Sequence, residues 1–554
     1  MKRRQFIQLS VLATGVVPDL ASSPNKSIPE GSAGVLPTRH GSGEVLYNGI
    51  RLPSPWPPQL KEAPREPVTP QYLLSPPEVI PIDVGRQLFV DDFLIAETTL
   101  KRTHHRAEYF PGNPVLKPDQ PWELTGKQPP CAMVFSDGVW YDPADRLFKM
   151  WYLGGYVRST CYATSKDGLH WEKPPLDVKP GTNIVQPEGR DSSTVWLDLE
   201  ENDPARRFKM FRSCSGGSTV KGSFGLATHF SRDGIHWSEP PLLTGSCGDR
   251  STVFYNPFRK VWVYSLRHGW GQPRRRRYWE TPDLVNGPKW SAISEPPMWI
   301  GSDQLDPARA DMKITPELYN LDCVAYESII LGLFTIWRGQ PENREKPNEV
   351  CVGYSRDGWS WWRPERRAFC PVSETPGEWN YSNVQSAGGG CLIVGDKLWF
   401  YVSGRGGTGK TRADGQLCVT SLATLRRDGF VSMDAGDTEG LLTTRPVRFG
   451  GKHLFVNLDA PSGELRVEAL DERGRVIAPF TRANSIPASG GQTRLAISWK
   501  GAADLSPLAG RTVRFRFQLR NGRLYAFWVS PDRSGASHGF VAAGGPGFSG
   551  PKDV

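Results

Sequence analysis

The chain lacks the marks of helices, membrane spans and disulfide frameworks. Almost no stretch keeps an apolar period of 3.6 residues, so long helices are excluded. No segment is long and apolar enough to span a bilayer as a helix. Nine cysteines are scattered singly, at Cys131, Cys161, Cys214, Cys247, Cys323, Cys351, Cys370, Cys391 and Cys418. An odd count without a CxxC pair argues against a disulfide scaffold or zinc site and fits small buried residues in strands. No nucleic-acid-binding motif accompanies the net charge of +9, which argues against that partner. The charge surplus is open to an acidic polymer, but the arginines at 274–277 read as a solvated hairpin edge. No metal site or cofactor is expected.

Glycine (58), proline (49) and tryptophan (20) are abundant. That balance favours many short strands joined by turns. The first residues, MKRRQFIQLSVLATGVV, place Arg3 and Arg4 ahead of a short apolar run. They resemble a bacterial twin-arginine export signal and imply a periplasmic or extracellular location. Residues 1–30 are assigned to this signal and 31–80 to a flexible lead-in rich in Pro, Gly and Ser.

One phrase returns along the chain: SKDGLHW at 165–171, SRDGIHW at 231–237 and SRDGWSW at 355–361. Worn copies occupy 280–290 and 425–432. Their aspartates, Asp167, Asp233, Asp283, Asp357 and Asp428, are spaced by 66, 50, 74 and 71 residues. Asp-Gly is a tight-turn pair, because Asp bonds nearby backbone and Gly accepts positive φ. Before each turn the grammar repeats: an apolar strand, a polar turn, then an aromatic-rich strand such as LFKMWY or RFKMFR. Five such units over 81–435 predict a five-bladed β-propeller. After 436 the phrase disappears and period-two alternation takes over, which predicts a C-terminal β-sandwich over 436–554. The expected fold class is all-β.

The inner strand of every propeller blade lines the axis, so acids on these strands converge there. Blade alignment selects Asp137, Asp191, Asp249 and Asp322. RDSSTVW and DRSTVF put Asp191 and Asp249 in equivalent places. Acids gathered at a blade mouth repel one another, which suggests acid/base work. Plainer roles stay open: Asp137 fits a turn, and Asp191 and Asp249 adjoin Arg190 and Arg250 as ion pairs would. Glu327 stands five residues after Asp322, so only one of the two faces the axis. Trp122, Trp270, Trp337 and Trp379 are aromatic candidates to stack on a ligand near the axis. Arg190, Arg338, Asn383, Gln385 and Arg405 are candidates to bind substrate.

These motifs resemble the five-bladed propeller glycosidases, which include family 32 fructosidases and family 43 arabinosidases and xylosidases. The chain is especially similar to secreted members of that kind in planctomycete-type bacteria. The resemblance covers about 82–436, and a C-terminal sandwich is also typical of family 32. It implies a nucleophile or base at Asp137, in SDGVWYD. It implies a transition-state stabiliser or pKa modulator at Asp191, because Arg190-Asp191-Ser192 is similar to the family's Arg-Asp-Pro. The family's acid is a Glu in blade 3. Here blade 3 offers Asp249, while blade 4 offers Glu327 within Tyr326-Glu327-Ser328. The implied function is exported hydrolysis of a poly- or oligosaccharide. Two rivals are a non-catalytic carbohydrate-binding propeller and a sialidase-like enzyme, since SxDGxxW is similar to the sialidase Asp-box turn. The sialidase reading would call for six blades.

Overall fold

The computed structural model describes residues 43–124, 128–268, 273–312, 314–341, 344–408 and 415–554. The export-signal segment and Trp270 lie outside the described residues. Five antiparallel sheets make the propeller. Blade 1 runs through Ala132–Asp142, Leu147–Gly154, Ser159–Ser165 and Ile184–Gln186. Blade 2 is Ser193–Leu197, Phe208–Ser215, Phe224–Ser231 and Leu242–Leu243. Blade 3 is Thr252–Asn256, Val261–Arg267, Arg276–Thr281 and Met298–Ile300. Blade 4 is built on Glu317–Glu327, Ile329–Trp337 and Asn348–Ser355. In blade 5 the inner strand is split into Asn383–Ser386 and Leu392–Val394, both paired with Lys397–Arg405. Cys418–Arg426 follows, and Glu108–Tyr109 from the N-terminal side adds the outermost strand. That last pairing ties the start of the propeller to its end, so the ring closes by main-chain hydrogen bonds.

The repeated phrase is a turn that clasps the preceding blade. Asp167 Oδ1 accepts from the amides of Leu169 and His170 at 2.8 and 2.9 Å, and Asp233 does the same with Ile235 and His236. Gly234 sits at φ 78°, where a side chain is strained. Its carbonyl accepts from Trp151 Nε1 of blade 1 at 2.7 Å. The Gly168 carbonyl accepts from the Tyr401 hydroxyl of blade 5 at 2.6 Å. The last worn copy has diverged: Asp428 is buried and ion-paired with Arg86 at 2.8 Å.

The C-terminal region forms a ten-stranded hydrogen-bonded sheet. One long strand, His453–Leu470, pairs with Gly522–Ser530 along its first half and with Arg514–Arg520 along its second. Both halves share one apolar core that includes Leu454, Val456, Val467, Phe515, Phe517 and Phe527. Three corrections follow. Residues 95–98, expected within the propeller, serve this sheet instead, since Ile95–Thr98 pairs with Gly440–Thr444. Val431–Ala435, expected within the propeller, pairs with Gly522–Ser530 of this sheet. The lead-in from residue 43 onward is packed: Leu46, Ile50, Leu52 and Tyr72 are buried in the C-terminal core. Its prolines punctuate a segment whose apolar residues still find a surface to cover.

The chain then returns to the propeller. Phe540–Val541 pairs with the end of the inner strand of blade 4. Ala543 bonds Cys391 of blade 5 and Tyr141 of blade 1 at 3.0 and 3.1 Å. This tail crosses the C-terminal ends of inner strands, while Asp191 and Asp249 stand just before the inner strands of blades 2 and 3 and Asp137 and Asp322 lie midway along those of blades 1 and 4.

Candidate active site

Asp137 owes its position to a bulge. The inner strand of blade 1 passes from Met133 opposite Leu153 to Gly138 opposite Trp151, so extra residues loop out between them. Phe135 there has φ 50°, a conformation that costs roughly 1–3 kcal/mol and clusters at functional sites. Blade 5 presses on the bulge. A Cβ on Gly388 would stand 2.7 Å from the Ser136 carbonyl oxygen and 3.1 Å from that of Asp137. Only a glycine lets the two backbones approach so closely.

Arg190 joins blade 1 to blade 2. Its Nη2 donates to Asp137 Oδ2 at 2.8 Å, Nε to Thr160 Oγ1 at 2.8 Å and Nη1 to the Asp191 carbonyl at 2.8 Å. Both side chains of the Arg190–Asp137 pair are wholly buried. Burial pushes the Asp137 carboxyl up to about 6 against the pull of Arg190. Its Oδ1 has no hydrogen-bond partner.

Asp191 is different. It makes no ion pair with its neighbour Arg190, whose guanidinium is engaged by Asp137. Burial first, and the charge of Asp249 second, push Asp191 up to about 6, opposed by Arg250 and Arg405. Asp249 is ion-paired with Arg267 and not with adjacent Arg250. The plain ion-pair expectation thus holds for Asp249, with another partner, and fails for Asp191.

Arg250 carries the cluster across the axis. Its guanidinium lies 3.6 Å from the Phe135 ring centroid and donates to Gln385 Oε1 at 2.6 Å. Gln385 Nε2 donates to Asn383 Oδ1 at 2.6 Å, and Asn383 Nδ2 to the Lys346 carbonyl at 2.9 Å. Arg250 Nε and Nη1 have no partner although the residue is 2% exposed. Asp322 accepts from Ser386 Oγ at 2.6 Å and Asn320 Nδ2 at 2.7 Å, and burial raises its pKa. Arg405 is buried over the Tyr156 ring, 5.0 Å from its centroid. Asp137, Arg190, Asp191, Asp249, Asp322, Asn383, Gln385 and Arg405 therefore form one neighbourhood drawn from all five blades.

Other candidates lie elsewhere. Glu327 is wholly buried at the far end of its strand, bound to Arg427 at 3.0 Å, Arg86 at 3.4 Å and Ser537 Oγ at 2.7 Å. It anchors the C-terminal tail, as the opposite facing of Asp322 and Glu327 requires. Arg338 is buried and salt-bridged to Glu349 at 3.0 Å. Trp337 lies under Arg274 at 4.4 Å, and Trp379 packs edge-on to Tyr109 at 5.0 Å. Trp122 Nε1 donates to Asn183 at 3.0 Å. The arginine run is no solvated edge: Arg276 is fully buried and donates to the carbonyls of Arg250 and Tyr319. Sequence reasoning missed Arg250, Phe135 and Gly388. The one available signal was the Arg beside Asp in both RDSSTVW and DRSTVF.

No family model matches the chain, and no curated protein matches it. Solved structures do. A glycosyl hydrolase from Bacteroides ovatus is similar at 12% identity and a TM-score of 0.39, over 62% of this chain and 97% of that one. A fructofuranosidase from Schwanniomyces occidentalis, complexed with fructosylnystose, is similar at 11% identity and a TM-score of 0.34, over 74% and 97%. An exo-β-1,3-galactanase from Phanerochaete chrysosporium is similar at 9% identity and a TM-score of 0.32, over 71% and 99%. The five-bladed architecture rests on the chain's own strand pairing. Five blades also remove the six-bladed expectation of the sialidase-like reading.

All nine cysteines are buried and none forms a disulfide. Among the described residues, no group of three or more His, Cys, Asp or Glu is arranged to hold a metal ion. No helix among them is long and apolar enough to cross a membrane.

Proposed function

We propose that this protein is an exported glycoside hydrolase whose working carboxyls are Asp137 and Asp191, acting on a poly- or oligosaccharide. The observation that carries this reading is the pairing of two acids raised to about 6 from neighbouring blades, linked through Arg190. Hydrolysis of a glycosidic bond needs one carboxyl that holds a proton near neutrality and one that attacks or activates water. Asp191, without an ion partner and beside Asp249, suits the proton donor to the leaving oxygen. Asp137 is tied through Oδ2 to Arg190 and keeps Oδ1 for the anomeric carbon or for water. The unpartnered Arg250 nitrogens and the Asn383–Gln385 pair suit substrate hydroxyls. Export is proposed on the twin-arginine sequence at Arg3 and Arg4.

The test is a screen of aryl-glycosides and plant or algal polysaccharides with the wild type, Asp137→Asn and Asp191→Asn. Hydrolysis by the wild type that both variants lose supports the reading. Unchanged hydrolysis in the variants, or no hydrolysis of any substrate, overturns it in favour of a binding propeller. Export is tested by fractionating cells that express the full chain or Arg3→Lys/Arg4→Lys. Retention of wild type in the cytoplasm would refute it.

A further inference from the structure

The blade 4 copy of the repeated turn carries two tryptophans that the copies in blades 1 and 2 lack. Leu169 and Ile235 stand where blade 4 has Trp359, and Glu172 and Ser238 stand where it has Trp362. The backbone is the same in all three. Glu172 pairs with Thr164, Ser238 bonds Phe230, and Trp362 pairs with Tyr354. Glu172 and Ser238 are exposed, as suits the outer edge of a blade, whereas Trp362 puts an indole there, still partly exposed.

That indole lines a groove of about 360 Å3, with Trp299, Trp359 and Trp361 from the blades and Pro67 and Val68 from the lead-in. Val68 is 59% exposed. Trp362 Nε1 is buried, so the exposed part of this residue is ring carbon. Both lining arginines are neutralised, Arg366 by Asp303 at 2.8 Å and Arg363 by Asp306 at 2.5 Å, while the Glu66 carboxylate on the rim accepts from Gln304 Nε2. An aromatic floor with a polar rim that includes Glu66, Thr69 and Ser360 matches a sugar ring, which offers C–H groups on its faces and hydroxyls around its edge. An acidic polymer finds no surplus positive charge to meet.

We infer that this groove is a second, non-catalytic saccharide-binding site, with Trp362 as its stacking platform, taking a neutral stretch of polysaccharide. It lies on the outer rim between blades 3 and 4, apart from the axial acids. The inference rests on the carbohydrate reading of the axial site, but it is measured by binding and not by turnover.

The experiment is affinity electrophoresis in gels containing neutral polysaccharides (xylan, mannan, galactan, arabinan and fructan) with wild type, Trp362→Glu and Trp362→Ser. These substitutions install the residues that blades 1 and 2 carry at this place, so folding is expected to survive, and thermal melting checks it. The expected result is wild-type retardation by at least one polymer, weakened tenfold or more in both variants. Turnover of a small aryl-glycoside should stay within about twofold. Equal retardation of folded variants and wild type, or no retardation of wild type by any polymer, overturns the site. Retardation that depends on Trp362 without hydrolysis of any substrate leaves this site standing and removes the proposed activity instead.

Discussion

Arg190 Nη2 meets Asp137 Oδ2 at 2.8 Å across the boundary of blades 1 and 2, while the same guanidinium holds the Asp191 carbonyl at 2.8 Å. One arginine therefore holds the Asp137 carboxylate and the main chain that carries Asp191. It neutralises Asp137 and leaves Asp191 without an ion partner, and the opposite electrostatics of the two acids give the first prediction.

Asp137→Asn and Asp191→Asn should both lower kcat, by roughly 100-fold or more if each acts as an acid or base. Their stabilities should move in opposite directions. Asp137→Asn leaves the Arg190 charge buried and unpaired, and should destabilise by roughly 3 kcal/mol. Asp191→Asn removes a carboxylate that burial and Asp249 disfavour, and should raise stability at pH 7. Denaturant melts at pH 7 check both; destabilisation by Asp191→Asn would contradict the assignment.

The pH dependence follows with a definite sign. Both carboxyls lie at about 6 in the folded chain, above the ordinary value of about 3.9 for aspartate. The folded state thus binds these protons more tightly, so their contribution is favourable in acid and declines as pH rises from about 4 through about 6. Activity should be bell-shaped with its maximum near pH 6, where one acid is protonated and the other ionised. In a pH–rate profile, a maximum above pH 8 would be incompatible with this pair.

Gly388→Ala should impair chemistry more than stability. The new methyl group would press on the Ser136 and Asp137 carbonyls at 2.7 and 3.1 Å, displacing the bulge that aims Asp137. A displacement near 1 Å can cost about 100-fold in rate. Turnover per folded molecule, measured beside a thermal melt, separates the two effects.

Glu327→Gln should act in the opposite way. Arg86 and Arg427 would lose a buried counter-charge, a change that costs about 3–5 kcal/mol. The folded fraction should keep wild-type kcat, because Glu327 anchors the C-terminal tail and not the axial cluster. Loss of kcat without loss of stability would return Glu327 to the list of acids.

Much of the propeller was legible because its cause is local. An Asp that caps a turn and a Gly that accepts positive φ act over a few residues, so SKDGLHW and SRDGIHW announce themselves wherever they occur. Asp137, Asp191, Asp249 and Asp322 could be selected by counting from those turns. Glu327 misled because a strand's period tells that two residues face opposite ways, but not which one faces the axis. The Arg274–Arg277 run misled because a string of charge looks solvated until neighbouring blades supply carbonyls to receive it.

The sequence by itself determined the blade count, the Asp-Gly turns that mark the repeat, and the short set of acids on the inner strands. Backbone conformation and hydrogen bonding over a few residues are enough for those. Only the tertiary structure decided which acids meet, that Arg190 serves Asp137 while Asp191 stays unpaired, and that the lead-in packs against the C-terminal core. Those outcomes depend on burial and on charges brought close from distant parts of the chain, neither of which a local pattern contains.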